Sequence, residues 1–207
     1  MAYGFLDIAR TPSVKAAEEA QGSAHYFEDF KGDRRFDRLG AAETAFIAAR
    51  DSFYMATVSE TGWPYVQHRG GPKGVLQVLD DRTLAFADYR GNRQYISLGN
   101  ASANARVALI LMDYPNRRRM KIYAHVEARD LAADPALAAR LADPAYKAHP
   151  ERAFVLHLDA FDWNCPQHIT PRFTQAEIAA MLQPTLTRLA ALEAENKALR
   201  EKLAAKA

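Results

Sequence analysis

Residues 53–69 read FYMATVSETGWPYVQHR. The first six residues, Phe53 to Val58, are apolar, aromatic or β-branched, as is typical of a strand, and residues 59–62 (SETG) have the composition of a tight turn. Residues 64–69 can form the return strand, so the stretch predicts a β-hairpin. Short strands joined by tight turns indicate an antiparallel sheet or barrel.

Further strand-like segments follow along the chain. They cover residues 75–79, 83–87, 106–113, 120–128 and 154–161. Two short helices are expected among them, at residues 93–99 and at 135–141, the second after Asp134 as a possible cap. The sequence therefore predicts a mainly β fold with flanking helices.

The chain begins with helical signals. Thr11 can cap a helix that has Pro12 at its first position and Gly22 after its end. A second helix is expected over residues 41–50, and residues 31–35 form a polar, charged connection between the two.

The C-terminal tail has a seven-residue pattern. One core position holds Leu182, Leu189, Asn196 and Leu203, and the other holds Thr185, Leu192 and Leu199. In a parallel pair of helices, Arg188 would face Glu193 of the partner and Glu195 would face Arg200. A short dimeric coiled coil and a helix that packs on its own barrel or stays solvated both remain open. We expect a domain over residues 1–173 and a helical tail over 174–207.

Composition narrows the classes of protein. The chain has 207 residues, of which 49% are hydrophobic, and a formal net charge of +2, which gives no reason to expect nucleic acid or a membrane as partner. No apolar run of about 18 residues is present, and residues 1–7 do not resemble a signal peptide. Cys165 is the single cysteine, which fits a reducing cytoplasm. No spacing indicates a zinc site, a Walker loop or a Rossmann fingerprint.

Residues 87–94 (ADYRGNRQ) could form an anion site. A strand ends there, a glycine turn follows, and a helix is expected to begin with Arg93. Backbone N–H groups at a helix start together with a guanidinium bind phosphate well. An ordinary strand-to-helix loop with solvated arginines is the alternative.

Three other segments carry polar groups. Residues 67–72 (QHRGGP) end a strand with paired glycines that allow a ligand close to the backbone, or form a bulged turn. Residues 163–172 (WNCPQHITPR) form a shaped loop rich in hydrogen-bond donors. Residues 116–121 are basic, and we interpret them as turn charges or one anion site rather than a nucleic-acid surface.

Five segments, in this order, resemble the pyridoxamine 5'-phosphate oxidase-related, FMN-binding proteins. They are residues 53–58, 67–72, 86–94, 112–118 and 164–172, so the resemblance covers about residues 10–175. It implies a six-stranded antiparallel split β-barrel and a homodimer with FMN at the subunit interface.

The resemblance also implies site residues. Arg69 matches an arginine beside the flavin or its phosphate. Ala87 and Asp88 match only loosely the aromatic residue and the threonine that open a polar segment in the family. Arg93 and Gln94 stand where the family has an arginine–lysine pair that binds phosphate. Arg119 stands where the family has a glutamine, and Trp163 and Arg172 resemble residues that reach across from the partner subunit. The remaining candidates for cofactor binding are Gln67, His68, Asn92, Asn164 and Gln167.

The substrate side departs from the family. True pyridoxamine phosphate oxidases end in an Arg-Leu-His segment, whereas this chain has Ile169-Thr170-Pro171-Arg172. The resemblance therefore predicts an FMN-dependent oxidoreductase of unknown substrate. A flavin- or haem-binding, redox-sensing dimer that acts through its C-terminal helix is the alternative.

Overall fold

The computed structural model describes residues 4–28, 37–163 and 166–205. Its seven strands form one antiparallel sheet with the order β2-β1-β5-β6-β7-β4-β3. The strands are β1 (Ser52–Val58), β2 (Pro64–Gly70), β3 (Gln77–Val78), β4 (Thr83–Tyr89), β5 (Arg106–Asp113), β6 (Arg118–Arg129) and β7 (Pro150–Trp163). The predicted mainly β class, with flanking helices and a C-terminal helix, is confirmed.

The hairpin predicted from residues 53–69 is present. Ser52 pairs with Gly70 at one end and Val58 with Pro64 at the other, which fixes the register of β1 against β2. Gly62 closes the turn with a φ of 85°, a left-handed conformation that glycine adopts without steric cost. Because side chains alternate along a strand, this register also decides which residues of β2 share a face.

The larger of two apolar clusters forms the main core of the sheet domain. Phe53, Phe86 and Phe154 meet at its centre, with ring centroids 5.1 Å apart for the first pair and 5.3 Å apart for the second. Leu111, Met120 and Ile122 complete the same buried cluster. The core lies directly beneath the polar end of β4.

The described part of the chain contains seven helices. They are α1 (Phe5–Ala9), α2 (Pro12–Ala20), α3 (His25–Glu28), α4 (Ala41–Ala48), α5 (Ile96–Ala103), α6 (Pro135–Leu141) and α7 (Gln175–Ala204). Thr11 caps α2 by accepting from the Val14 N–H at 3.4 Å, and Asp134 caps α6 by accepting from the Leu137 N–H at 3.0 Å, both as predicted.

Several boundaries correct the sequence prediction. The sheet has seven strands rather than six, because the two-residue β3 pairs with the edge of β4. The strand expected over residues 75–79 is reduced to Gln77–Val78, since Val75 instead donates its N–H to the Pro72 carbonyl at 2.9 Å in a turn. The second predicted helix ends at Ala48, two residues early.

The helix expected over residues 93–99 is also displaced. It occupies Ile96–Ala103, because Arg93 and Tyr95 adopt left-handed φ angles of 62° and 54° that cannot continue a right-handed helix. Helices α1 and α3 were not predicted. The polar connection at residues 31–35 lies outside the described residues.

The chain divides into two compact units. One comprises residues 1–113 and 117–167, and the other comprises residues 114–116 and 168–207. The domain division expected after residue 173 stays a prediction. Among the described residues, none of the helices combines the length and hydropathy needed to span a bilayer.

Candidate functional site

A small cleft lies where β2, the end of β4 and the start of α5 meet. Six of the predicted cofactor-binding residues line it: Gln67, Arg69, Asp88, Asn92, Arg93 and Gln94. Its internal volume is only about 50 Å³. That space is far below the roughly 300–1,000 Å³ of a complete small-molecule pocket, so the cleft has room for one small group only.

Strand alternation brings part of this set together. Tyr65, Gln67 and Arg69 occupy every second position of β2, so their side chains leave the same face and all three line the cleft. His68 lies on the opposite face, where its ring meets Tyr54 edge-on at 5.4 Å. The same alternation places Asp88 beside Phe86, whereas Ala87 packs in a second apolar cluster with Leu137 and Leu141.

Asp88 is a buried carboxylate held between two arginines. Its Oδ1 accepts from Arg69 Nη1 at 2.6 Å and its Oδ2 accepts from Arg152 Nη1 at 2.7 Å. Only 8% of Asp88 is exposed. The register of β4 against β7 shifts between Asp88 and Tyr89, and a bulge of this kind aims side chains at the edge of a sheet. Arg152 Nη2 also lies 3.5 Å from Glu151 Oε2, so the two arginines face two carboxylates and the group carries no net charge.

Arg69 retains hydrogen-bonding capacity. Among the described residues, its Nε is buried and has no hydrogen-bond partner. Its guanidinium carbon lies 5.7 Å from the ring centroids of both Phe86 and Phe154, so both rings stabilise the cation through cation–π contacts. A buried N–H without a partner costs free energy unless a ligand or water accepts from it.

The loop before α5 is tightly shaped. The Asn92 side chain accepts from the Gln94 N–H at 3.1 Å and donates to Gln94 Oε1 at 3.2 Å. Arg93 and Tyr95 are both left-handed, at a cost of about 1–3 kcal/mol each, and such strain clusters at ligand-binding sites. A hydrogen bond with Tyr95 raises the pKa of the exposed Arg93 above its ordinary value, so Arg93 stays cationic.

Helix α5 begins at the cleft. Within the described residues, no side chain caps its start at Tyr95, and Ile96, Ser97 and Leu98 all line the cleft. The first N–H groups of a helix lack intrahelical partners and carry positive partial charge. The helix is held in place by the buried hydrogen bond from Asn100 Nδ2 to Thr57 Oγ1 at 3.0 Å.

A carboxylate also borders the cleft. Glu151 Oε1 accepts from Arg90 Nε at 3.1 Å and from the Tyr95 hydroxyl at 3.2 Å. Desolvation acts to raise the pKa of Glu151, but the hydrogen bonds from Arg90 and Tyr95 outweigh it and hold the pKa below its ordinary value. Glu151 is therefore ionised and paired, and it orients the Tyr95 side chain.

These donors fit a phosphate group. The uncapped helix start, Arg69 and the cationic Arg93 all line one small space. Phosphate is bound by helix N-termini and by guanidinium groups for the same electrostatic reason. Asp88 does not oppose this fit, since its charge is already compensated by two arginines.

The other predicted site residues do not line the cleft, as far as the described residues show. His68 and Ala87 point elsewhere, as above, and Arg119 lies on β6 with a buried Nε that has no partner there. Trp163 donates from Nε1 to Glu43 Oε1 at 3.0 Å and packs edge-on against Phe46. Their roles as cofactor ligands stay predictions.

The loop after β7 is only partly described. Asn164 and Cys165 lie outside the described residues. Gln167 is exposed, and Arg172 belongs to the second unit, where its guanidinium lies 4.9 Å from the Tyr114 ring. The assignment of this loop to a ligand stays a prediction as well.

Sequence reasoning missed several lining residues, among them Tyr65, Tyr95, Ser97 and Glu151. Tyr65 could have been found, because it precedes Gln67 and Arg69 with the period of a strand. Ser97 is buried and donates to Gln67 Oε1 at 3.2 Å, but its position depends on where α5 begins. Glu151 reaches the cleft only because β7 pairs with β4, and no pattern in the neighbouring sequence indicates that position.

The fold and the cleft together define a class. This is an antiparallel β protein with a small cleft that two arginines, two carboxylates and the start of a helix line. Within the described residues, no cluster of three or more His, Cys, Asp or Glu side chains could hold a metal ion.

Comparison with known proteins identifies the family. The model of the pyridoxamine 5'-phosphate oxidase family matches residues 39–163, so the chain belongs to this family and has its split-barrel fold. At the level of the family it is related to flavin-binding oxidoreductases. No curated protein sequence matches the chain.

Solved structures with a similar fold include three of interest. A protein from Lactobacillus delbrueckii, assigned as a pyridoxamine 5'-phosphate oxidase, is 21% identical, with a TM-score of 0.47 over 61% of this chain and 94% of its own. An FMN-binding protein from Syntrophomonas wolfei is 15% identical, with a TM-score of 0.49 over 72% and 97%. An F420 reductase is 20% identical, with a TM-score of 0.43 over 60% and 98%.

Proposed function

We propose that the protein binds FMN and acts as an FMN-dependent oxidoreductase whose substrate is not pyridoxamine phosphate. One observation carries this proposal: the uncapped start of α5, Arg69 and the Arg93–Gln94 pair line the same phosphate-sized space. Membership in the family supports a flavin as the cofactor. The absence of the Arg-Leu-His segment argues against pyridoxamine phosphate as the substrate.

In this proposal the chain's residues hold and orient the cofactor. Arg69, Arg93 and the first N–H groups of α5 bind the phosphate, and Gln94 replaces the lysine of the family with a neutral donor. Ser97 fixes Gln67 for contact with the remainder of the ligand. FMN when bound supplies the electron transfer. Bleaching of the bound flavin by a reduced nicotinamide would support the activity, and a flavin that no donor reduces would oppose it.

Replacing Arg93 with alanine tests the phosphate site. We expect FMN to bind about tenfold more weakly, the scale of one charge-assisted hydrogen bond, while riboflavin, which lacks the phosphate, binds as before. Fluorescence titration of both ligands measures the difference. Arg93 is exposed, so the fold should not change.

Arg117→Ala is the matched control. Arg117 is also an exposed arginine with a left-handed φ, of 54°, but it lies in the turn between β5 and β6 and not at the cleft. FMN affinity should be unaffected by this change. An equal loss for FMN and riboflavin in Arg93→Ala, or no loss at all, would remove Arg93 from the phosphate site.

We also propose a homodimer in which each chain helps to complete the other's site. The cleft of one chain holds only a phosphate-sized group, so the rest of FMN requires another surface. An apolar face built from β1, β2, β5 and β6 is available for pairing, with Tyr54 37% and Val66 61% exposed. Exposed apolar patches of this kind mark interaction surfaces.

Mixed dimers of Arg172→Ala and Arg93→Ala chains test the shared site. If Arg172 serves the partner's flavin, one site of the mixed dimer keeps both arginines and the other loses both. We therefore expect half of the wild-type FMN stoichiometry in doubly tagged mixed dimers, with weak binding in each parent. Weak binding at both sites of the mixed dimer would show that Arg172 serves its own chain. Trp163 is left intact because it packs against α4.

A further inference from the structure

Helix α7 presents an apolar stripe to solvent. Thr174 and Glu177 form a capping box at its start, and its 30 residues extend over about 45 Å at 1.5 Å per residue. None of these residues is buried. The leucines at 182, 189, 192 and 199 are 43–52% exposed. A stripe this long requires a partner surface.

The spacing of the stripe selects the kind of partner. Leu182, Leu189, Asn196 and Leu203 recur every seven residues, with Thr185, Leu192 and Leu199 between them. A straight α-helix drifts by about 20° per heptad, so a strict seven-residue repeat stays in contact only with a second helix in a left-handed supercoil. Pro184 falls at an outward position of this repeat, near its beginning.

The surface of α7 contains a socket for such a helix. Leu189, Leu192, Glu193 and Asn196 border one groove on the helix. In a parallel coiled coil, four residues at these heptad positions form the hole that receives a leucine from the facing helix. The leucine at the same height in a second copy is Leu192.

Charges beside the stripe identify a second copy of this chain in parallel orientation. Arg188 and Glu193 are five residues apart, as are Glu195 and Arg200, so neither pair meets within one helix. Across a parallel, in-register pair, both come together, and twofold symmetry makes four attractive contacts. Met181 would likewise meet Leu186, and Asn196 would meet Asn196, a pairing that fixes register.

An antiparallel pairing satisfies fewer of these features. Its best register places Leu189 against Leu192 and Asn196 against Thr185, and among the charges it joins only Arg188 with Glu195. We infer that α7 of two chains forms a parallel, in-register coiled coil, so that both chains enter it from the same end. This inference does not depend on flavin binding.

Disulfide trapping in the full-length protein tests orientation and register. In a Cys165→Ser background, Leu199→Cys places two identical core positions opposite each other, and Ala194→Cys is the control at an outward position. We expect mild oxidation to cross-link Leu199→Cys chains at least about tenfold faster than Ala194→Cys chains, because only core positions approach closely. Equal rates would overturn the parallel coil.

Charge exchange tests the partner choice independently. Glu195→Arg and Arg200→Glu each create like-charge contacts in a homodimer, whereas a mixture of the two chains restores attraction at every contact. We expect mixed dimers to exceed the half share that random pairing gives once subunits have exchanged. Random pairing of these two variants would contradict the parallel register.

Discussion

Replacing Asp88 with alanine is expected to lower the free energy of unfolding by about 3 kcal/mol in the absence of ligand. The change leaves Arg69 and Arg152 without the carboxylate that both contact, at 2.6 and 2.7 Å. Their side chains are only 14% and 19% exposed, so water compensates them poorly. Urea unfolding at constant ionic strength measures the loss.

The same variant should respond strongly to phosphate. An anion in the cleft can take the place of the missing carboxylate, so millimolar phosphate or FMN should restore part of the lost stability. Asp113→Ala is the matched control, because Asp113 is equally buried and pairs with Arg50 at 3.3 Å away from the cleft. It should be destabilised without rescue by phosphate. Equal responses of the two variants would mean that the cleft has no preference for the anion.

Replacing Phe86 with alanine is expected to cost about 3–5 kcal/mol of stability. Phe86 is 1% exposed and lies between Phe53 and Phe154, so its removal leaves a cavity at the centre of the core. It also removes one of the two rings beneath Arg69. Flavin affinity should therefore fall along with the melting temperature.

Two other variants serve as comparisons for the loss of stability in Phe86→Ala. Phe86→Leu keeps most of the volume and should cost less than about 1.5 kcal/mol. Trp63→Ala removes a larger ring that is 76% exposed, and its effect should remain within about 0.5 kcal/mol. If Phe86→Ala were no more harmful than Trp63→Ala, the core described here would be wrong.

The strands were the most predictable part of the fold. Strand β5 has its predicted bounds, Arg106 and Asp113, which flank an apolar run. Helix α6 likewise begins after its Asp134 cap and matches its predicted range. In both elements the local pattern and the tertiary environment favour the same structure, which is why sequence alone was sufficient.

The entry into α5 was the least predictable. Left-handed φ angles are uncommon for residues other than glycine, and nothing in Arg93 or Tyr95 indicates them. The conformation is imposed by contacts from distant parts of the chain, including the bond from Tyr95 to Glu151 on β7. The cluster around Asp88 has the same origin, since Arg152 reaches it only through the pairing of β4 with β7.

The position of Asp88 between Arg69 and Arg152 bears on whether the chain can fold before a ligand binds. If the pocket held arginines alone, their positive charges would repel one another until an anion bound. Folding would then depend on the supply of that anion. Here Asp88 offsets the charge of Arg69 and Arg152, so the chain can fold before any anion has bound. If the cleft binds a phosphate group as we propose, that group can bind after folding and leave again, and the empty protein stays folded.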